Sequence, residues 1–183
     1  MNLFSPKTQV SRPITDRVKE SLFSVLYNYD LPGKATVADL FCGVGSLGLE
    51  ALSRGAKFVT FIEKDPMIIE TLKRNIEKAG FVRQSNVIRA NAFKTTAPVG
   101  SGEAQYGLVF VDPPYAATQD VGANSALGGL LDVLGTQVTD DGLVIVRTQR
   151  DVSLLEQYGQ FHIIERRQWG TMAVTILSKS LTA

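Results

Sequence analysis

The apolar run ATVADLF (Ala35–Phe41) ends on the glycine series Gly43-x-Gly45-x-x-Gly48, and the helix-forming stretch SLGLEALSRGA starts inside it. A buried strand that runs through a glycine turn into a helix opens a βαβ unit, which commits a chain to a parallel sheet. The alternation continues. FVTFIE reads as the second strand. DPMIIETLKRNIEKAG predicts a helix with Asp65 as cap, Pro66 at the first turn, Ile69, Leu72 and Ile76 on one face, and Gly80 as the stop. NVIRA and GLVFVD predict strands, ALGGLLDVLG a helix, and GLVIVRT a strand. Ahead of these, ITDRVKESLFSVL sets Val18, Leu22, Val25 and Leu26 at helical spacing behind a Thr15 cap. After a short helical stretch, DVSLLEQYG, the runs FHIIERRQW and MAVTILSK join across Gly170 as a closing hairpin. The expected fold is α/β, a Rossmann-like, mostly parallel sheet with helices on both faces. Ligands then gather at the carboxyl ends of the strands.

At 183 residues with 44% apolar side chains, the chain suits a single domain with a full core. No apolar run reaches the roughly 20 residues that span a bilayer, and MNLFSPKTQVSRP lacks the apolar centre of a secretory signal. The single cysteine, Cys42, excludes a disulfide framework and a cysteine-cluster zinc site. We therefore expect a cytoplasmic protein with no metal and no membrane association. The net charge of +1 does not mark a nucleic-acid binder, but charge is unevenly placed. No Lys or Arg occurs from Thr95 to Val146, where Glu103, Asp112, Asp120, Asp132, Asp140 and Asp141 lie. Lys7, Arg12, Arg17 and Lys19 come before, and Arg147, Arg150, Arg166 and Arg167 after. If these groups meet, they form a positive rim.

The glycine pattern alone fits NAD, another adenosine cofactor, or a structural turn. Asp39, four residues before Gly43, separates these. A carboxylate 5 Å from a pyrophosphate charge costs about 3 kcal/mol at an effective dielectric of 20, against about 1 kcal/mol of attraction from a helix N-terminus. S-adenosylmethionine reverses the sign, because it carries a sulfonium and an ammonium and no phosphate. Glu63, 20 residues after Gly43, suits two ribose hydroxyls in either case, and Asn91 is placed to meet an adenine edge.

The sharper signal is VFVDPPY, Val109–Tyr115. Two prolines after an apolar strand fix an extended backbone that donates no hydrogen bond. The Asp112 carboxylate and the Pro113 carbonyl are left as acceptors. Drawing the protons of an exocyclic amine toward them frees its lone pair to attack a methyl carbon. Tyr115 can stack on a base taken out of its stack.

These residues resemble the bacterial small-subunit ribosomal RNA guanine-N2 methyltransferases, of the class I S-adenosylmethionine-dependent superfamily. Three stretches carry the resemblance: RPITDRVKESLF, DLFCGVGSLGLEALSRGA and VFVDPPY. It implies a seven-stranded sheet with the last strand antiparallel, and methyl transfer to a guanine 2-amino group. It puts Asp39, Gly43, Gly45 and Glu63 at cofactor positions, which Phe41, Lys64, Asn91 and Ala92 complete. Asp112, Pro113, Pro114 and Tyr115 fall in the amine pocket, with Asp112 bordering both sites. Arg12, Thr15 and Arg17 approach the substrate. The implied partner is small-subunit ribosomal RNA, free or in an assembled or assembling particle, bound by a monomer.

The chain also departs from the pattern. Relatives commonly carry a basic, glycine-containing hairpin before the RP motif, where this chain has residues 1–11 with Lys7 as their one charge. Relatives often have an acid where Arg147 stands. Cys42 and Val44 replace smaller or hydroxylated turn residues. A DNA or other amino-group methyltransferase, a NAD oxidoreductase and a non-catalytic RNA-binding assembly factor remain as alternatives. His162 and Trp169 read as strand and hairpin positions, Cys42 as packing, and Arg166–Arg167 as a solvated edge.

Overall fold

The structure is a computed structural model that describes residues 3–4, 14–100 and 104–179. Its elements follow the alternation: α1 (Asp16–Tyr27), β1 (Thr36–Leu40), α2 (Ser46–Ser53), β2 (Phe58–Glu63), α3 (Pro66–Ala79), β3 (Ser85–Arg89), the short α4 (Ala92–Thr95), β4 (Tyr106–Val111), α5 (Ala126–Leu134), β5 (Val138–Gln149), β6 (Gln157–Tyr158), β7 (Phe161–Trp169) and β8 (Met172–Ser178). The expected caps are in place. Thr15 accepts from Val18 N, Asp65 accepts from Met67 N and Ile68 N with Pro66 behind it, and Gly80 ends α3 in the left-handed region at φ +78°.

The sheet runs β3-β2-β1-β4-β5-β8-β7-β6. β1 to β5 are parallel, and β8 inserts antiparallel between β5 and β7. Seven strands were expected; β6 is an eighth, two residues long, where DVSLLEQYG reads as helix. That stretch is pinned by tertiary contacts instead. The Tyr158 hydroxyl donates to Val121 O at 2.5 Å and accepts from Leu155 N at 3.1 Å. Gly159 then turns at φ +54°.

Two apolar layers cover the sheet. α1, α2 and α3 pack on one face through Leu22, Phe23, Leu26, Leu49 and Leu72, and α5 covers the other through Leu127, Leu131 and Leu134. α1 and α2 run in the same direction, because Lys19 pairs with Glu50 while Arg54 lies over the rings of Phe23 and Tyr27. The amino end of α1 is therefore on the same edge of the sheet as the amino end of α2. That edge holds the carboxyl tips of β1, β2, β4 and β5. Between β1 and β4 the strand order reverses, which is where ligands enter sheets of this kind.

Candidate active site

The turn after β1 uses its glycines for three different reasons. Gly43 has φ +54°, and a Cβ built there meets nothing within 4 Å, so the space above it is open. Gly45 has φ +87°, and a Cβ would lie 2.5 Å from Leu72 Cδ1. Gly48 lets α2 settle on β2, since a Cβ would fall 2.4 Å from Phe61 Cε1 and 2.9 Å from Val59 Cγ1. Of the two glycines read as cofactor positions, Gly43 faces open space and Gly45 lies under α3.

Two carboxyl groups hold this turn. Asp39 is 1% exposed and accepts from Gly48 N at 2.8 Å. Burial pushes its pKa up to about 8, with the charges of Asp112 and Glu63 adding to the rise. As a sequence position Asp39 implies a carboxylate; its burial instead favours the protonated form up to about pH 8, and a nearby cation favours ionisation. Glu63 accepts from Gly43 N at 3.1 Å through Oε2, and from Lys64 N at 2.8 Å and Asp65 N at 3.0 Å through Oε1. Its first task is thus to tie the turn to the tip of β2, which leaves acceptor capacity on Oε2 for a ligand.

Asn75, fully buried on α3, went unread in the sequence. Its Nδ2 donates to Val44 O at 3.0 Å and Phe4 O at 3.2 Å, and its Oδ1 accepts from Phe4 N at 2.7 Å. The signal was a polar residue on an apolar helix face, between Leu72 and Ile76. Cys42 is buried under the same turn, with its thiol pushed well up by burial and by Asp39 and Glu63. A buried thiol of this kind is inert, which supports a packing role.

At the neighbouring tip, β4 pairs with β1 as Leu40↔Val111, so Asp112 follows directly beside the start of the glycine turn. Pro113 is buried, Pro114 exposed and Tyr115 half-buried at the start of a 3-10 turn, Tyr115–Thr118. The Pro114 carbonyl is taken by Ala117 N at 2.8 Å and the Tyr115 carbonyl by Thr118 Oγ1 at 2.9 Å. Asp112 accepts from Arg147 Nε at 2.5 Å. Burial raises the Asp112 pKa above the ordinary carboxylate value, and the guanidinium draws it part of the way back.

The remaining expected residues divide. Phe41 holds φ +60°, and its ring lies 4.7 Å from that of Phe93. Asn91 caps α4 by accepting from Phe93 N at 3.0 Å, which commits its Oδ1 and leaves its amide donors for an adenine edge. Lys64 is exposed, and Ala92 is buried against the α5 side of the sheet. Thr15 and Arg17 are exposed at the amino end of α1, on the edge that carries the site. Arg12 and Lys7, and with them the question of a basic hairpin, lie outside the described residues, as does Glu103.

The expected positive rim is mostly dismantled. Lys19 is buried between Asp16 and Glu50, Arg147 is committed to Asp112, and Arg167 pairs with Glu165. Arg166 donates to the carbonyls of Arg150 (2.7 Å) and Val152 (3.1 Å), bracing the loop after β5. Burying aliphatic stems beside carboxylates and carbonyls explains these placements better than phosphate contact. His162 sits at the first turn of β7, on the opposite edge from the site, and Trp169 packs against the core at the hairpin. No group of three metal-ligating side chains assembles among the described residues. No helix among them is long and apolar enough to cross a membrane.

The family model described as Conserved hypothetical protein 95 matches residues 1–178. YlbH of Bacillus subtilis is 32% identical over 169 residues, which is 92% of this chain and 88% of that relative. The chain belongs to the ribosomal RNA small subunit methyltransferase D family. The Escherichia coli member carrying that name is 41% identical over 112 residues, 60% of this chain and 52% of its own length. The solved structure of Escherichia coli yhhF superposes with a TM-score of 0.77 at 29% identity, covering 96% of this chain and 90% of that one. A family of methyltransferases implies a methyl donor, and the donor set fits a cationic one. Glu63 is bonded to Gly43 beneath that open space, Asp39 is buried under the same turn, and Asp112 follows at the next strand tip; a sulfonium or ammonium would favour the ionised form of these acids, and a pyrophosphate would oppose it.

Proposed function

We propose that the protein transfers a methyl group from S-adenosylmethionine to the exocyclic 2-amino group of a guanine in small-subunit ribosomal RNA. One observation carries this reading: the open glycine turn at the tip of β1 and the DPPY segment at the tip of β4 are neighbours on one edge, at the point where strand order reverses. The substrate class is supported by the relative named Ribosomal RNA small subunit methyltransferase D.

When bound over the turn, S-adenosylmethionine supplies an electrophilic methyl carbon on a positively charged sulfur. Asp39 and Gly43, with Gly45 packed behind them, would hold its amino-acid end, Glu63 its ribose, and Phe41, Lys64 and Asn91, with Ala92 buried behind them, its base. Tyr115 stacks on the extruded guanine, worth about 1–3 kcal/mol. Asp112 and the Pro113 carbonyl accept the amine protons and turn the nitrogen lone pair toward the methyl carbon. With the donor bound, the nitrogen–carbon bond would form as the sulfur–carbon bond broke and its electron pair returned to sulfur. The surplus proton on nitrogen leaves to Asp112 or water. No protein nucleophile is needed; positioning and polarisation carry the step. The chain acts as one methyltransferase unit, as a monomer in the cytoplasm, with Thr15, Arg17 and Arg12 toward the RNA.

The test is transfer of labelled methyl to undermethylated small subunits, protein-free ribosomal RNA and DNA, followed by nucleoside identification. The expected product is N2-methylguanosine in small-subunit RNA. Label found only in DNA, as methyladenine, overturns the assignment.

A further inference from the structure

Arg147 is the departure from the family pattern that the geometry turns into a device. It stands one residue past Val146, which is registered against Val111, so its side chain meets Asp112 across the β4–β5 pair. Arg147 is 7% exposed, and its Nε donates to Asp112 Oδ1 at 2.5 Å. Its Nη1 is buried with no hydrogen-bond partner among the described residues. A guanidinium buried in this way, with one donor unmet, is poor value as a source of stability alone, because desolvation offsets most of the attraction.

Its surroundings indicate what it does. Asp39 faces Asp112 from β1, Glu63 stands beyond Asp39 at the tip of β2, and Tyr115 follows on the adjoining turn. Arg147 is the basic side chain that faces both aspartates. Carboxyl groups crowded in a buried site cannot all stay ionised without a cation. A protonated Asp112 would place an O–H where the N–H groups of the amine need an acceptor.

We propose that Arg147 is a positioning residue for methyl transfer, holding Oδ1 of Asp112 so that Oδ2 is the acceptor presented to the substrate amine. This rests on the methyl-transfer reading given above. The residue acts through Asp112 and touches neither substrate nor cofactor. It also supplies the charge that opposes the upward pull of burial on the Asp112 carboxyl.

Two measurements separate this role from simple support of the fold. The first is a carbon-13 titration of the Asp112 carboxyl in the protein alone, assigned with Asp112→Asn. Arg147→Gln should move the midpoint up by about one unit or more, and Arg147→Lys should return it toward wild type. The second is single-turnover methyl transfer against pH. At saturating cofactor, Arg147→Gln should lower the rate at pH 7 by about 10–100-fold and shift the acidic limb upward. Arg147→Lys should restore the limb but only part of the rate, because an ammonium replaces the charge and not the planar fork. An unmoved titration in Arg147→Gln overturns the proposal, as does a Lys variant that titrates like the Gln one. Should the Gln variant not fold, the Lys variant decides, since an unshifted limb at reduced rate is expected and a shifted limb refutes the claim. If wild-type protein methylates none of the nucleic acids offered, the methyl-transfer reading fails, and the Asp112 titration still decides the claim about Arg147.

Discussion

The backbone N–H of Gly43 donates to Oε2 of Glu63 at 3.1 Å, so the glycine turn after β1 and the tip of β2 are one construction. Glu63 also takes the N–H groups of Lys64 and Asp65 on its other oxygen. A residue read as a ribose acceptor is thereby also the brace for the turn that receives the same ligand. Glu63→Ala should weaken cofactor binding by roughly 10–100-fold, the equivalent of about 1–3 kcal/mol for lost charge-assisted hydrogen bonds. Glu63→Gln, which keeps an acceptor but loses the charge, should fall between. Titration calorimetry with S-adenosylmethionine measures both, and an unchanged affinity in the Ala variant would remove Glu63 from the site.

Two of the turn glycines, Gly43 and Gly48, should respond differently to alanine. At Gly48 the new methyl meets the Phe61 ring and Val59, both fixed in β2, so overpacking should cost about 1–3 kcal/mol of stability. At Gly43 it meets nothing within 4 Å, so the stability cost is the positive φ alone, about 1 kcal/mol. The methyl there enters the space assigned to the cofactor. Gly48→Ala should therefore lower the melting temperature more than it lowers affinity per folded molecule, and Gly43→Ala should do the reverse. Paired thermal melts and binding isotherms give both readings.

The helices, the strands and the edge that carries the site were legible because their signals are local. Asp65–Pro66 and Gly80 bound α3 through their own backbone preferences, and the short β-branched apolar runs between turn residues fit strands. DVSLLEQYG misled because what holds it is distant: Tyr158 reaches Val121 across the fold. The charge rim failed for a related reason. Sequence counts Lys19 and Arg147 as charges, but packing shows that each is spent on acids, Asp16 and Glu50 for Lys19 and Asp112 for Arg147. Asp39 was read as part of the site from its spacing to Gly43. Its burial, which sets its protonation, depends on β2 and β4 closing on both sides of β1.

That burial makes cofactor binding pH-dependent. With Asp39 raised from its ordinary value of 3.8 to about 8, the folded state holds a proton that the unfolded chain has released. The stability so gained is complete below about pH 4 and disappears as pH rises through about 8. A cationic ligand favours the ionised form, so binding should expel the proton, and affinity should climb by up to about tenfold per pH unit until pH 8 is passed. Asp39→Asn retains an acceptor for Gly48 N and cannot titrate. It should flatten both trends, in thermal melts without ligand and in calorimetry with it. A wild-type affinity that does not change between pH 6 and about pH 8 would mean the carboxyl stays as it is when ligand binds.

Arg17 and Arg166 should differ in how salt affects their loss. Arg17 is exposed at the amino end of α1, on the edge shared with the glycine turn and the DPPY segment. A phosphate contact there releases counterions, so Arg17→Ala should weaken RNA binding and reduce the slope of log affinity against log salt by about one. Arg166 has its guanidinium turned to the carbonyls of Arg150 and Val152, and its Nε is buried. Arg166→Ala should release the loop after β5, lowering the melting temperature while leaving the salt slope within error of wild type. Filter binding of small-subunit RNA from about 50 to 200 mM salt, with a melt on each variant, distinguishes the two. A flattened slope in the Arg166 variant would return that arginine to the RNA surface and require its carbonyl contacts to open when RNA binds.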